Sequence, residues 1–559
     1  MFRNLLLLSL CTAGIATAAE MPDAGRLLKE SSAAPLRIPQ EAPPEPTKEQ
    51  VTPARSSKQA RLTIADFTFT GNTIFSDTEL ALLIAKYRGQ ACTFAELEQA
   101  TTLITQAYRK RGYFLALAYL PPQTLSQGKA LTIEITEGVL DTIAIDTKEQ
   151  QTRIDPALLS YYARQIPTGT PLNDESLTSM IMRTNELPNI SSRILLEPGS
   201  RPGSTKATLQ VSEGKPSSFS VEMDNYGNDA TGAHRLSASM ELYSPLHFGD
   251  QFNLRLQTST TGLLRNLQSS YAIPVTPYGT KIGLMYSYVS YTMGGEFQAL
   301  GANGNAHNLT FSLTHPLKRH RDIMLNATFA AEGRVLNDCI ESTETQSQRL
   351  AGSYQAGLSG VRMDKYFGGG YTSFSLGFIG GHMLINDATT LALDQSPFGL
   401  QTNGAFTKLN VTLSRTQRIS PDISFYAGSY GQWSNNNLNS SEQLSLGGPS
   451  AVRAWLPSEA SADRGMISTA EVRYLVDTVG ELPGKLELSA FIDHSNAALH
   501  SSPLPFAGDN CISMTGVGLG VKWFDTSNYS LQSTVAWKLG ETNTTDTMPL
   551  VFARFIKSF

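Results

Sequence analysis

The sequence predicts two repeated α+β units of βααββ order followed by an all-β region, a transmembrane antiparallel β-barrel of about 16 strands. Three observations lead there. Residues 61–214 carry helix-capping signals between short apolar runs, twice in the same order. From about Ser217 onward, apolar and polar residues alternate with period two. The first residues read as a secretory leader, which sends the product out of the cytoplasm.

Bulk properties fit. The chain has 559 residues, a net charge of −5 and a pI near 6.0. It therefore lacks the basic excess of a nucleic-acid binder. Its 45 glycines, 20 tyrosines and 24 phenylalanines suit the turns and aromatic girdles of a barrel. Past the leader no run of 18 apolar residues occurs, so no inner-membrane helix is expected.

Residues 1–18 are the expected signal peptide: Arg3, an apolar stretch from Leu5 to Ile15, then Ala16, Thr17 and Ala18 as a small-residue cleavage site. Leu10 before Cys11 argues against a lipoprotein. Residues 19–60 are polar and proline-rich and read as a linker. Within them Asp23 caps a possible short helix to Ser31, with Leu27 and Leu28 on one face; a structured helix and an unstructured tail both remain open. Cys92, Cys339 and Cys511 are widely spaced; separate thiols are favoured over a Cys339–Cys511 bridge.

Residues 61–138 form the first unit. A strand runs from Leu62 to Phe69 and ends at Gly71 and Asn72. Ser76 with Glu79, and Thr93 with Glu96, are capping boxes that open two helices. The second helix places Leu97, Ala100, Ile104, Ala107 and Tyr108 on one face. Strands Phe114 to Leu120 and Leu131 to Glu137 follow. Residues 139–214 repeat this order: a strand from Leu140 to Ile145, helices capped by Asp155 (with Pro156) and Asn173, and strands Ser192 to Glu197 and Ala207 to Val211. Both units end in Glu-Gly, at Glu137-Gly138 and Glu213-Gly214. Exposed edges at Phe114, Leu117 and Tyr119, and at Arg193 and Leu195, are candidate sites for adding an extended ligand strand.

Residues 215–559 form the barrel. Phe219, Val221 and Met223 alternate with Ser220, Glu222 and Asp224, and Ile282, Leu284, Tyr286 and Tyr288 with Lys281, Gly283, Met285 and Ser287. The chain ends on Phe559, the kind of terminal aromatic read by barrel-assembly machinery.

The most specific feature is Gly447-Gly448-Pro449 leading to Val452, Arg453, Ala454 and Trp455, followed by Phe491, Ile492 and Asp493 on a later strand. By alternation Glu471, Arg473, Phe491 and Asp493 face the lumen. If the loop folds inward, Arg453 can donate two parallel hydrogen bonds to the Asp493 carboxylate. These motifs, with Asp224-Asn225-Tyr226-Gly227-Asn228, Ser244-Pro245, Gly249-Asp250 and Gly294-Gly295-Glu296-Phe297, resemble the two-partner secretion transporters, the ShlB/FhaC/HecB (TpsB) family. The paired units resemble POTRA domains. The resemblance spans about residues 61–559. Trp455 stands where the family has tyrosine, which keeps a large aromatic with a polar handle.

The resemblance implies sixteen strands, POTRA domains in the periplasm, and an outer-membrane barrel that exports an unfolded exoprotein, a TpsA-like adhesin, haemolysin or toxin. It also implies that the N-terminal helix lies in the barrel as a plug. Outer-membrane lipids and the barrel-assembly machinery are the other expected partners, and nucleic acid is not. No Walker loop, H-E-x-x-H or G-x-S-x-G occurs, so no enzyme, cofactor or metal site is expected. Gly516, Gly518 and Gly520 lie on a strand and read as small lumen-facing residues. An insertase of the same superfamily and a passive porin-like channel are the rival readings. Two units with a proline-rich linker favour secretion over the first, and the unit pair speaks against the second.

Overall fold

The computed structural model describes residues 21–32, 61–124, 129–147, 152–457, 459–476, 483–503, 508–525, 528–540 and 549–559. The signal segment 1–18 and the linker 33–60 lie outside them. The chain forms two compact units, residues 36–214 and residues 215–559 with the N-terminal segment to Pro35. In the second belongs helix α1 (Ala24–Ser32).

The first repeat runs β1 (Arg61–Thr63), β2 (Phe67–Thr70), α2 (Asp77–Leu83), β3 (Ala91–Thr93), α3 (Phe94–Lys110), β4 (Leu117–Tyr119) and β5 (Leu131–Thr136). Its sheet order is β2-β5-β4, with β2 parallel and β4 antiparallel to β5. The single first strand expected from Leu62 is broken in two. β1 pairs with β3, a short strand the sequence does not announce, and Ile64, at the break between β1 and β2, turns into the core. Both capping boxes form, the side chains of Ser76 and Thr93 accepting from the backbone N–H of Glu79 and Glu96. Leu97, Ala100, Ile104 and Tyr108 make the buried stripe of α3 against Phe67, Phe69, Ile133 and Ile135.

The second repeat runs β6 (Val139–Asp146), α4 (Pro156–Ala163), α5 (Asp174–Asn185), β7 (Ile190–Pro198) and β8 (Ser204–Glu213), with sheet order β6-β8-β7. Asp155 accepts from Ala157 N–H at 2.8 Å and Asn173 from Glu175 N–H at 2.8 Å, so each helix starts on its own cap. The Glu-Gly pairs have one job in both copies. Glu137 accepts from the N–H of Thr73 (2.6 Å) and Ile74 (3.0 Å) and from the Tyr108 hydroxyl (2.7 Å). Glu213 accepts from Arg153 N–H at 2.6 Å. Each carboxylate, at the end of the last strand, ties down the loop that enters the first helix. Gly138 sits at φ +71°, and a Cβ there would lie 2.4 Å from Leu115 Cβ.

The structure corrects one edge residue. Phe114 is not on a strand. It lies in the turn after α3, where Tyr113 N–H reaches back to Tyr108 C=O, and it packs half-buried on the second repeat's core. The chain must reverse there to lay β4 against β5, which consumes the first half of the expected strand. Leu117 and Tyr119 do lie on β4, and Arg193 and Leu195 on β7, each an outer strand of its sheet.

Among the described residues sixteen antiparallel strands close a barrel, from β9 (Ser217–Asp224) to β26 (Leu550–Ser558), and β26 closes on β9. Only β20 (Leu444–Ser445) and β21 (Ser461–Ala462) stand apart; they pair with each other between β19 (Ile423–Ser434) and β22 (Arg464–Val476). Period-two alternation sorts the faces: Phe219, Met223, Leu284 and Ile492 are exposed on the outside, while Glu222, Asp224, Ser287 and Asp493 are buried within. No described helix is long and apolar enough to cross a membrane, and the strands carry the apolar belt. Cys339 and Cys511 remain thiols, on strands that are not neighbours. Phe559 N–H donates to Phe219 C=O at 2.9 Å across the closing seam.

Burial raises the Glu137 carboxyl, but the hydrogen bonds from Thr73, Ile74 and Tyr108 outweigh it and hold its pKa below the usual value. A depressed carboxylate adds stability above its unfolded pKa of about 4.3, lost as pH falls through the folded value. Glu137→Gln should therefore destabilise the first repeat by about 1–3 kcal/mol at pH 7. The gap to wild type should narrow below about pH 4, as read by hydrogen exchange of α2 and α3 amides in the whole protein.

Candidate functional site

The site is built from the loop between β19 and β22, which folds into the bore. The β20–β21 ladder starts the reversal, with Leu444 opposite Ala462 and Ser445 opposite Ser461. Leu446 N–H donates to Ala460 C=O at 3.0 Å, Val452 N–H to Leu446 C=O at 3.0 Å, and Gly448 N–H to Trp455 C=O at 2.8 Å. Leu446 and Val452 are buried and pack with Ile467, Ala497 and Met514 on the inner wall, and buried Ala454 packs with Phe491 and Ala536. That wall is β22, β23 (Lys485–Ala498) and β24 (Cys511–Asp525). Glycine at 516 lets the loop approach, since a Cβ there would lie 2.6 Å from Ala454 Cβ, and Gly518 makes room on the wall for the Phe491 ring, which a Cβ there would meet at 2.4 Å.

Arg453 is held from several sides. Its Nε and Nη2 donate to the two carboxylate oxygens of Asp493 at 2.8 and 2.9 Å, and its backbone N–H donates to Asp493 Oδ2 at 3.1 Å. Nη1 donates to Glu471 Oε2 at 3.0 Å, and Arg473 closes the chain on Glu471 Oε1 at 2.9 Å. Thr469 Oγ1 donates to Asp493 Oδ1 at 2.9 Å. The guanidinium carbon stands 3.3 Å from the Phe491 ring centre. Asp493 is wholly buried, so its charge has only these donors for solvation.

A second brace grips the base of the loop. Glu442 pairs with Lys408, on the strand beside β19, at 2.7 Å and with Arg334 from a more distant strand. Buried Asp463 accepts from the N–H of Leu438 (3.1 Å) and Ser501 (2.8 Å) and from Gln443 Nε2 (3.0 Å). At the tip, Lys538 pairs with Glu459 at 3.0 Å and sits 4.0 Å from the Trp455 ring centre.

Helix α1 fills the space between loop and wall. Asp23 caps it, accepting from Arg26 N–H at 2.9 Å. Ala24, Leu27 and Leu28 pack on Val289, Ala306 and Leu336 of the inner wall. Its other face meets the loop: Ser440 donates to Asp23 at 2.6 Å, Arg26 donates to Ser461, and Lys29 to the Gln443 carbonyl. Asp23 also pairs with Arg349 at 3.1 Å, and Arg349 with Asp338 at 2.8 Å. A side chain at Gly25 would collide with Ser441, since its Cβ would lie 2.8 Å from that Cβ.

Val452, Arg453, Ala454, Trp455, Phe491 and Asp493 thus meet in one place, as a loop-to-wall contact. The polar handle expected of Trp455 is unused: its indole N–H is buried with no hydrogen-bond partner among the described residues, and the ring serves Lys538 instead. Sequence reasoning placed Glu471 inward but missed that it shares Arg453. It missed Glu442, Arg334, Lys408, Asp338 and Arg349 altogether. Inward-facing charges on strands were the available signal, but alternation names no partner across a bore.

With this geometry in view, comparisons with known proteins agree. The sequence model of the haemolysin secretion/activation protein family ShlB/FhaC/HecB matches residues 203–522, and that of the ShlB-type POTRA domain matches residues 62–138. The heme/hemopexin transporter protein HuxB of Haemophilus influenzae is 26% identical over 460 residues, covering 82% of this chain and 80% of its own. The hemolysin transporter protein ShlB of Serratia marcescens is 24% identical over 442 residues, covering 75% and 73%. The structure of CdiB from Escherichia coli superposes with a TM-score of 0.73 at 22% identity, covering 96% of both chains.

Removing Arg453 leaves the buried Asp493 carboxylate without its cation, and removing Asp493 leaves Arg453 with Glu471 alone; breaking a buried pair in this way costs about 3–5 kcal/mol. Arg453→Ala and Asp493→Ala should each speed hydrogen exchange of the 446–455 amides. The double variant should be little worse than either single one; additive effects would contradict the pairing.

Proposed function

This chain belongs to the ShlB/FhaC/HecB family of haemolysin secretion/activation proteins, and from that premise we propose how it performs two-partner secretion. As a member it is an outer-membrane transporter, with POTRA domains in the periplasm and a sixteen-stranded barrel through which an exoprotein reaches the cell surface. The family consists of transporters rather than enzymes.

The unfolded client first adds as an extended strand to an outer edge of a POTRA sheet. Leu117 and Tyr119 on β4, and Arg193 and Leu195 on β7, line those edges. Main-chain hydrogen bonds need little side-chain identity, which suits a client without a fold. The client then passes through the bore after α1 leaves and the 438–463 loop swings off the wall. The cargo is an adhesin, a haemolysin or a toxin. Phe559, whose backbone is pinned on β9 at the seam, serves as the element read by the barrel-assembly machinery.

The observation that carries this reading is the filled lumen. A helix and a loop occupy it, both held by hydrogen bonds and ion pairs rather than by covalent closure, and either can be released without breaking a barrel ladder. A passive porin-like channel gains nothing from such an obstruction. An insertase remains the rival, distinguished by what accumulates on deletion: loss of one large exoprotein from the medium supports secretion, and loss of many barrels from the membrane supports assembly.

Two outcomes test the mechanism. Arg453→Ala should lower secretion while the barrel still inserts, as judged by heat-modifiable migration; normal secretion would remove Arg453 from the mechanism. Deleting residues 21–32 should raise the conductance of the purified protein in planar bilayers, whereas an open channel would conduct equally with or without the helix.

A further inference from the structure

The outer face of the barrel carries a feature that export does not use. Three consecutive strands are unusually long: β14 (Ala302–Arg319) and β15 (Ile323–Ile340) with 18 residues each, and β16 (Thr345–Asp364) with 20. The chain enters the barrel from the periplasmic POTRA side at Ser217, so alternating strands put the 302, 340 and 345 ends at the opposite, extracellular rim.

The outward residues change in layers toward that rim. Leu309, half exposed, lies in the apolar belt. Two residues nearer the rim His307 is flanked by Tyr288, ring centres 4.8 Å apart, and by the Tyr286 hydroxyl at 2.9 Å, an interfacial aromatic layer. Two residues further, about 7 Å along the strand, the layer is made of amides. Asn305 pairs in register with Asn337, and Asn337 with Gln348. Their side chains join end to end: Asn337 Nδ2 donates to Asn305 Oδ1 at 3.0 Å, Gln348 Nε2 to Asn337 Oδ1 at 3.2 Å, and Asn386 Nδ2 to Gln348 Oε1 at 3.1 Å.

The two inner amides, Asn337 and Gln348, each spend one donor and one acceptor on their neighbours, while Asn305 at one end only accepts and Asn386 at the other only donates. Each keeps an N–H and acceptor capacity for a ligand. The polar groups are therefore held in a line, oriented and half-satisfied, at the height of lipid headgroups. Charge is sorted away from them. Arg334, Asp338 and Arg349 of the same strands face the lumen, and the nearby acids Glu341 and Asp387 repel phosphate.

We propose that Asn305, Asn337, Gln348 and Asn386 form a binding ledge for the neutral sugars of an outer-leaflet glycolipid headgroup. Amide rows match the alternating donor and acceptor hydroxyls of a sugar, and neither aliphatic chains nor phosphates offer that match. The ledge anchors the transporter laterally and is independent of the export reading.

The test uses the full-length protein in detergent, incubated with lipopolysaccharide bearing a complete core oligosaccharide or with lipopolysaccharide truncated to lipid A, occupancy being read by native mass spectrometry. Wild type should bind the complete form about tenfold more tightly than the truncated one. Asn337→Leu with Gln348→Leu should erase that difference and leave binding of the truncated form and heat-modifiable migration unchanged. The soluble core oligosaccharide alone should compete for wild type. Equal binding of both lipids by wild type, a double variant that keeps the preference, or failure of the free oligosaccharide to compete would each overturn the ledge.

Discussion

Three hydrogen bonds seat Arg453 on the Asp493 carboxylate, two from the guanidinium and one from the Arg453 backbone. The backbone bond matters as much as the ion pair. It fixes where the chain runs, so the carboxylate sets the position of the loop and not only of one side chain. Because Asp493 is fully buried, the carboxylate cannot exchange these donors for water while the loop stays in place. On the proposed mechanism the loop is therefore either seated with these charges paired or withdrawn with both hydrated, because a position in between would leave a buried charge unpaired.

The other contacts read as consequences of that seat. With the tip on β23, the base of the loop reaches Arg334 and Lys408 through Glu442, and its flank presents Ser440, Gln443 and Ser461 to α1. Helix α1 is only nine residues long and would be marginal in water. It persists because Leu27 and Leu28 find the wall and Asp23, Arg26 and Lys29 find the loop. Plug and loop are each other's supports, so release of one weakens the hold on the other. On the proposed mechanism such an obstruction is stable at rest and is dismantled by the client contact by contact.

Much of this was legible in the residues, and what was not has a physical cause. Capping boxes at Ser76 and Thr93 are local, so they read correctly. Alternation gave the faces of Glu471, Phe491 and Asp493, because a strand's period does not depend on its neighbours. The Phe114 turn was misread because β-propensity says nothing of where a chain must reverse to reach its partner strand. Whether α1 would be ordered could not be decided locally, since most of its stabilisation comes from residues more than 200 positions away in sequence. The ion pairs of Glu442 with Arg334 and Lys408 stayed hidden because alternation names no partner on another strand. Gly516 and Gly518 were seen as small lumen residues, but their use, admitting Ala454 and Phe491, needed coordinates.

The most direct test is a covalent lock on the loop. Ala454 and Gly516 face each other, a Cβ at Gly516 lying 2.6 Å from that of Ala454, so a pair of cysteines reaches the Cβ spacing of a disulfide, about 3.8 Å, once the loop moves outward by about 1 Å. In the Ala454→Cys, Gly516→Cys protein, secretion should stop when the bond is formed and return on mild reduction, with the amount of inserted barrel unchanged. Undiminished secretion with the bond intact would show that the client passes without the loop leaving the wall, and the seat of Arg453 on Asp493 would then be no gate.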